Sequence, residues 1–313
     1  MTILWRIYFL FLFLCTPTLG EKQVNTQFSP VHKKPSDSDQ IFTMQTSTIS
    51  QCLYICIQNN GCLTVLYNNI GLLCIGYESQ LEDTTLTGEE KVLRLVYKDH
   101  LIVYGCDDVR VLRQGIYLLN MTLTAEIREV FCEVKTNGSK WLVLMRRKDG
   151  SVEFDREWND YKFGFGSQTG EFWSGNELIH KLTTDGRNHT LRVELESYDD
   201  EFIFAVYNHF WIGPESDNYR LHVSGLSADS TAGDGLSNHN NMMFSTKQRD
   251  NDMSRNNCAV KYGAPWWFST CHYSLLTGKY GSSLPHASGI TWSKSWGYSK
   301  FARSAAMMIR PYI

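Results

Sequence analysis

Asp250 and Asp252 stand two residues apart, and Ser254 and Asn256 continue the alternation. Carboxylates at this short spacing suit a hard cation, because the intervening residue lets both side chains turn inward. An EF-hand loop needs Gly at its sixth position and Glu at its twelfth; Arg255 and Lys261 stand there instead. The remaining options are a modest extracellular calcium site, with affinity of about 10⁻⁴–10⁻³ M, and a solvated acidic turn. Spacing alone leaves both open. Just downstream, Cys258 and Cys271 bracket Pro265, Trp266, Trp267 and Phe268, and His272 follows directly. A bridge between these cysteines would close a small loop and stabilise it by about 3 kcal/mol. Paired tryptophans suit a core. An aromatic residue at a loop edge beside His272 also suits the wall of a shallow pocket, since aromatic faces match the apolar faces of sugars and acetyl methyl groups.

Catalytic arrangements lack a local context. There is no G-x-S-x-G elbow and no HExxH pair. Gly164, Gly166 and Gly170 are spaced one residue away from the dinucleotide fingerprint, with no buried parallel strand ahead of them, and read as a turn. Glu153 and Asp155 beside Arg156 read as an ion-paired face. The chain is therefore not expected to be an enzyme.

The elements that must position these residues belong to a chain of 313 residues, room for about two domains. Net charge is −3, which offers no basic field to nucleic acid. Residues 1–20 read as a secretory signal. An apolar run at 3–14, interrupted by Arg6, is too short to span a bilayer, and Thr18, Leu19 and Gly20 offer a cleavage site before Glu21. No later run is long and apolar enough for a membrane span. Residues 21–40 are a polar, flexible lead-in with two prolines. Removing Cys15 with the leader leaves eight of the nine cysteines, an even number that suits disulfides in an exported chain. Sequons at Asn120, Asn137 and Asn188 mark candidate glycosylation sites. No heptad pattern supplies a coiled-coil stalk, which leaves a homo-oligomer open.

Four of the cysteines cluster at Cys52, Cys56, Cys62 and Cys74. Thr48 to Gln51 fits a helix start and Gly61 a stop, so Cys52 and Cys56 share one helix face. Strands are expected at 63–67, 72–76 and 92–97. This stretch resembles a PAN/apple module, a small disulfide-rich α+β unit placed here at 41–100. The resemblance implies a helix cradled by a small sheet, with Cys52 bonded to Cys74 and Cys56 to Cys62, and a role in protein or carbohydrate contacts.

Beyond residue 100 the texture changes. Residues 141–154 read as two strands about an Asp149-Gly150 turn. Residues 190–213 read as a second hairpin, with Leu191, Val193 and Leu195 alternating with Arg192, Glu194 and Glu196 before Asp199-Asp200. One helix is expected, at 171–182. The blocks WLVLMRRKDGSVEFDREWNDYKFGFGSQTGEFWSGNELIHKLT, DNDMSRNNCA, WWFSTCHYSLLTGKY and GITWSKSWGYSKFARSAAMMIRP stand in order across 101–313. They resemble the fibrinogen C-terminal domain of ficolins and tachylectins, a loop-rich α+β fold with a central antiparallel sheet.

That resemblance implies disulfides joining Cys106 to Cys132 and Cys258 to Cys271. It implies Ca²⁺ held by the carboxylates of Asp250 and Asp252 and the main-chain carbonyls of Ser254 and Asn256. It implies a cis peptide between Asn257 and Cys258, and a ligand pocket formed by Asn257, Cys258, Phe268, His272, Tyr280 and His286. Where the family binds a cationic peptide knob it uses carboxylates; Tyr262 and Ala287 occupy those positions here, which argues against fibrin-like polymerisation. The run His286-Ala287-Ser288-Gly289 departs from the Tyr-Ala-Asn-Gly of ficolins. The expected function is that of a secreted, calcium-assisted lectin-like protein that binds acetylated microbial glycans in innate defence. The alternative is a signalling or matrix ligand for a protein receptor.

Overall fold

The computed structural model describes residues 40–45, 64–68, 73–77, 93–97, 102–108, 111–121 and 126–312. A four-stranded antiparallel sheet is formed by β1 (Gln40–Gln45), β2 (Thr64–Asn68), β3 (Leu73–Tyr77) and β4 (Leu93–Tyr97), in the order β1-β3-β2-β4. Three of these strands fall within one residue of the expected positions. Cys74 in β3 is buried and disulfide-bonded. Its expected partner Cys52, the pair Cys56 and Cys62, and the helix between 48 and 61 lie outside the described residues, as does the 1–20 leader.

The larger sheet has ten strands. Its main path runs β13 (Leu221–Leu226), β12 (Phe202–Ile212), β11 (His189–Ser197), β16 (Ala302–Pro311), β8 (Lys140–Arg147), β7 (Glu126–Val134), β6 (Gly115–Met121) and β5 (Ile102–Val103). Every pairing along it is antiparallel except β5 with β6. The alternation in β11 works as expected from Leu191 on: Leu191, Val193 and Leu195 are buried, while Arg192, Glu194 and Glu196 face outward, Glu194 paired with Arg192 and Lys135 and Glu196 with Arg303. The inward face packs under the loops that follow β13, with Trp173, Trp266, Trp267 and Trp292 fully buried between sheet and loops. The outward face carries a smaller cluster of Trp141, Val143, Phe172 and Met308. Cys106 is bonded to Cys132, with Cα atoms 5.4 Å apart.

Three expectations require correction. The Asp149-Gly150 turn does not lead into a second strand. The carboxylate of Glu171, fully buried, accepts the amides of Lys148, Asp149 and Val152 and folds this segment inward. The edge of β8 there is taken instead by β10 (Phe172–Trp173), which pairs with Arg146 and Met145 and also with β9 (Phe165–Gly166). For the same reason the helix expected at 171–182 begins later, as α2 (Asn176–Thr183), after a turn in which Gly175 has φ 102°. A side chain at Gly175 would meet the Phe163 main chain at 2.8 Å, so only glycine fits. A short α1 (Trp158–Phe163) precedes it, opened by a reciprocal capping box between Glu157 and Asp160. Finally, Glu153, Asp155 and Arg156 do not pair with one another. The Glu153 carboxylate accepts the amides of Phe154 and Asp155, the Arg156 side chain donates to the Glu153 carbonyl, and Asp155 faces Lys247 at 3.7 Å.

Candidate functional site

The acidic loop is built from its own side chains. The Asp250 carboxylate accepts the amide of Asp252 at 3.4 Å, and Asp252 accepts those of Ser254 and Cys258, both at 2.8 Å. The loop is tied to the core by Asn251, which donates to the Phe244 carbonyl, and by the Met253 amide, which donates to the Ser269 carbonyl. Asn257 then caps α3 (Cys258–Tyr262), its side chain accepting the Val260 amide at 2.9 Å. The Asn257–Cys258 peptide is trans: no cis peptide occurs among the described residues. With ψ of 108° Asn257 enters the helix as an ordinary N-cap. Cys258 and Cys271 are bonded, with Cα atoms 5.5 Å apart.

Calcium is the cation that the resemblance implies for this loop, and the donors present fit it. Among the described residues neither Asp250 nor Asp252 has an ion-pair partner, and the Ser254 and Asn256 carbonyls accept no hydrogen bond. Burial, together with the adjacent Asp250 carboxylate, raises the Asp252 carboxyl above its ordinary range although two amides oppose the shift. A bound cation would relieve that repulsion. Two carboxylates alone are a sparse set, and no cluster of three or more His, Cys, Asp or Glu groups suited to a metal occurs among the described residues. Main-chain oxygens and water would therefore have to complete the shell.

Beyond α3 the chain returns around His272. His272 is only 7% exposed, and neither ring nitrogen makes a well-formed hydrogen bond among the described residues, although the Ala287 main chain lies near enough to favour the protonated ring slightly. Tyr262 meets its ring edge-on at 4.6 Å, Tyr298 at 5.8 Å, and Phe268 lies at 6.1 Å. Tyr298 also donates to the His272 carbonyl at 2.9 Å and lies 5.5 Å from the ring of His286, which is exposed. Burial, then the nearby His239, pushes the imidazole down to about 3, so it is neutral at physiological pH. Two non-glycine residues with positive φ border this enclosure: Cys271 at 92° and Ala287 at 65°. Such strain persists where surrounding structure holds it, and here that structure is specific. The Ala287 amide donates to the Tyr298 carbonyl and the Lys279 amide to the Ser288 carbonyl. Gly278 approaches Gly289 so closely that a Cβ would lie 2.1 Å from its carbonyl oxygen. A two-stranded ribbon of β14 (Ser274–Leu275) and β15 (Thr291–Trp292) closes the feet of both loops.

Two buried side chains hold this scaffold. His239 sits in a short 3₁₀ turn; Nδ1 donates to the Trp267 carbonyl at 2.7 Å, and Nε2 accepts the amides of Tyr273 and Ser274. Arg147, at the end of β8, donates to the Leu276 and Gly278 carbonyls, lies over the Phe154 ring at 3.9 Å and faces the Glu171 carboxylate at 3.5 Å.

The expected site residues thus separate. Asn257, Cys258, Phe268, His272 and His286 fall along α3 and the two loops. Phe268 is fully buried and supports the His272 ring from the core side. Tyr280 goes elsewhere: it packs on Gly150, donates to the Lys148 carbonyl and meets Tyr198 edge-on at 6.3 Å. Trp266 and Trp267 are both core, with Trp267 donating to the Tyr219 carbonyl. The sequence reading missed Tyr298 entirely and took Tyr262 only as a lost carboxylate. Both are ring neighbours of His272, and nothing in their spacing announces it.

The fold and this loop arrangement define the class. The chain belongs to the family of the fibrinogen beta and gamma chains, C-terminal globular domain, whose model matches residues 106–312. Ryncolin-4 of Cerberus rynchops is 46% identical over 184 residues, 58% of this chain and 53% of that protein. Fibrinogen C domain-containing protein 1 of Mus musculus is 42% identical over 204 residues, 63% of this chain and 44% of that protein. The chain spans about half the length of the curated relatives it matches. Among solved structures, the fibrinogen-like globe domain of human ANGPTL6 superposes with a TM-score of 0.60 at 37% identity, over 64% of this chain and 89% of that one. Lamprey fibrin D-dimer, complexed with the peptide Gly-His-Arg-Pro-amide, gives 0.59 at 34%, over 64% and 69%.

Proposed function

We propose that this chain is a secreted recognition protein that binds acetylated glycans, such as those of microbial surfaces, at the His272 enclosure without turning them over. The observation that carries this reading is His272 itself: a neutral imidazole with no well-formed hydrogen bond among the described residues and only the Ala287 main chain nearby, set among the rings of Tyr262, Phe268 and Tyr298. An acetamide supplies what such a place lacks, a polar group for the imidazole and a methyl for the rings. The positions that would need carboxylates to receive a peptide amine hold Tyr262 and Ala287, which disfavours a knob of the kind seen with lamprey fibrin. Asp250, Asp252, Ser254 and Asn256 would hold calcium, which would order the loop leading into α3. The four-stranded sheet is assigned to a PAN/apple-like module with its own contacts. Among the described residues no helix is long and apolar enough to cross a membrane.

Retention of the purified chain on immobilised N-acetylglucosamine tests the reading. Free N-acetylglucosamine is expected to compete and EDTA to release the protein. Retention indifferent to the free sugar overturns the glycan reading. Competition by the sugar with no effect of EDTA, or of the double substitution Asp250→Ala and Asp252→Ala, removes calcium from it. A second reading, a protein ligand of the signalling or matrix kind, is favoured by the exposed Met253, Val260 and Tyr273 on the segments that build the site. It predicts saturable binding to a protein receptor that acetylated sugars do not compete.

A further inference from the structure

Asn188 lies immediately ahead of β11, exposed, in the sequon Asn188-His189-Thr190. The register of β11 with β16 sets His189 opposite Pro311. The ladder continues one residue further, where the Tyr312 amide donates to the Asn188 carbonyl at 2.8 Å. Asn188 and Tyr312 are therefore cross-strand neighbours, with Cβ atoms about 5 Å apart. The Tyr312 ring is 49% exposed and stacks on His209 of β12 at 5.6 Å and 28°. Since β11 lies between β16 and β12, that ring must lean across the start of β11, where Asn188 stands. Two residues along β12, Trp211 is 40% exposed and lies flat on its cross-strand partner His222 at 3.6 Å and 7°. Two aromatic pairs, Tyr312 on His209 and Trp211 on the half-buried His222, thus lie along β12 beside the sequon. The other two sequons differ. Asn137 is exposed in the turn between β7 and β8 with no ring contact among the described residues, and Asn120 is half-buried in β6 opposite Ile127.

We infer that Asn188 carries an N-linked glycan whose first N-acetylglucosamine covers the aromatic patch of Tyr312, His209 and Trp211. The transfer takes place in the secretory pathway from a lipid-pyrophosphate-linked oligosaccharide. Asn188 Nδ2 attacks C1 of the reducing-end sugar, the N–C1 bond forms, the C1–O bond to pyrophosphate breaks, the lipid pyrophosphate leaves and the amide gives up one proton. The sugar attached is matched to the patch: its C–H face and acetyl methyl are apolar, and its hydroxyls stay in water. Tethering to Asn188 holds the sugar at high local concentration beside the rings, and covering them removes an exposed apolar patch of the kind that drives association. The modification leaves the ligand site free. β8 and β11 both begin, and β16 ends, at the Asn188 end of the sheet. At the other end, Tyr280 bonds to Lys148 just past β8 and meets Tyr198 just past β11, and Arg147 holds the loop after His272.

The inference rests on export, the one part of the proposed function it needs. The full chain is secreted from cells that make only high-mannose glycans, and its glycopeptides are mapped by mass spectrometry. Asn188 is expected to be occupied. Endoglycosidase trimming to a single N-acetylglucosamine should leave Tm unchanged. Asn188→Gln and Tyr312→Ala should each lower Tm by about 2–4 °C, and the two together no more than the larger of them. Asn137→Gln should leave Tm where it was. Asn188 bare in a chain modified at Asn137 overturns the inference alone, as does strict additivity of the two substitutions or a trimmed protein as unstable as Asn188→Gln. A chain that never enters the secretory pathway overturns the export reading itself.

Discussion

His239 and His272 are both buried, and their surroundings give them opposite uses. Every polar atom of the His239 ring is engaged, one nitrogen donating to Trp267 and the other receiving two amides. The His272 ring makes no well-formed hydrogen bond among the described residues and has only the Ala287 main chain nearby. Replacing His239 with Phe strands a carbonyl and two amides, and should cost about 2 kcal/mol or more in denaturant unfolding. His272→Phe should cost little stability at neutral pH, because it removes two buried nitrogens that make no well-formed hydrogen bond, while abolishing retention on acetylated sugar. Loss of stability at His272 comparable to that at His239 would show the ring to be structural. Both histidines also tie stability to acid. Burial holds His239 down to about 4 and His272 to about 3, below the unfolded value near 6.5. In the native state both stay neutral while the unfolded chain takes up protons. Stability is therefore complete above pH 6.5 and falls as the pH drops toward 4, by about 1.4 kcal/mol per unit for each group. A pH series of urea midpoints measures this, and His272→Phe should flatten it. Neither role was legible in the sequence: a histidine after a cysteine signals nothing about which main-chain groups will reach it, and Tyr298 arrives from a loop 26 residues away.

At the scale of elements, the readings that held depend on local alternation, and those that failed depend on a distant partner. The β11–β12 hairpin about Asp199-Asp200 was legible because buried residues alternate with half-buried ones from Leu191 to Ser197 and again along the first part of β12. The hairpin about Asp149-Gly150 has equally good turn residues, yet the second arm is claimed by Glu171 and the strand edge by Phe172 and Trp173. The same carboxylate faces Arg147, so a pair buried to about 1% and 0% exposure decides the course of the segments after β8 and of the loop at 276–278. Arg147→Met should destabilise the domain by about 3–5 kcal/mol, because it leaves the Glu171 charge buried and unpaired. Adding Glu171→Gln should recover part of that loss, since it removes the unpaired charge, but only part, because its single oxygen cannot accept on both sides and its NH2 would face a main-chain amide. Equal unfolding midpoints for the single and double variants would mean that the ion pair contributes nothing. The acidic loop lies between these cases: the spacing of Asp250 and Asp252 picked out the segment, but the Asn257 cap and the trans peptide that follows it could be seen only in the fold.

At the scale of the whole molecule, the larger domain was the most legible feature, because four ordered sequence blocks specify it and, among the described residues, its core runs from Val103 to Ile309. A chain shortened to 101–313 is accordingly expected to fold with the same thermal midpoint as the full chain. A lower midpoint would mean that the four-stranded sheet supports the domain. The order of strands has a consequence of another kind. β16, made from residues 302–311, is the last strand of the domain to be synthesised, yet it lies in the middle of the sheet between β11 and β8. Until it emerges, those two strands have no neighbour on their facing edges, so two half-sheets wait with open edges on which strands of other molecules can pair. The domain therefore cannot complete its sheet until residues 302–311 have emerged. Its slowest contacts are its last, and a stop codon ahead of residue 302 removes the keystone of the sheet.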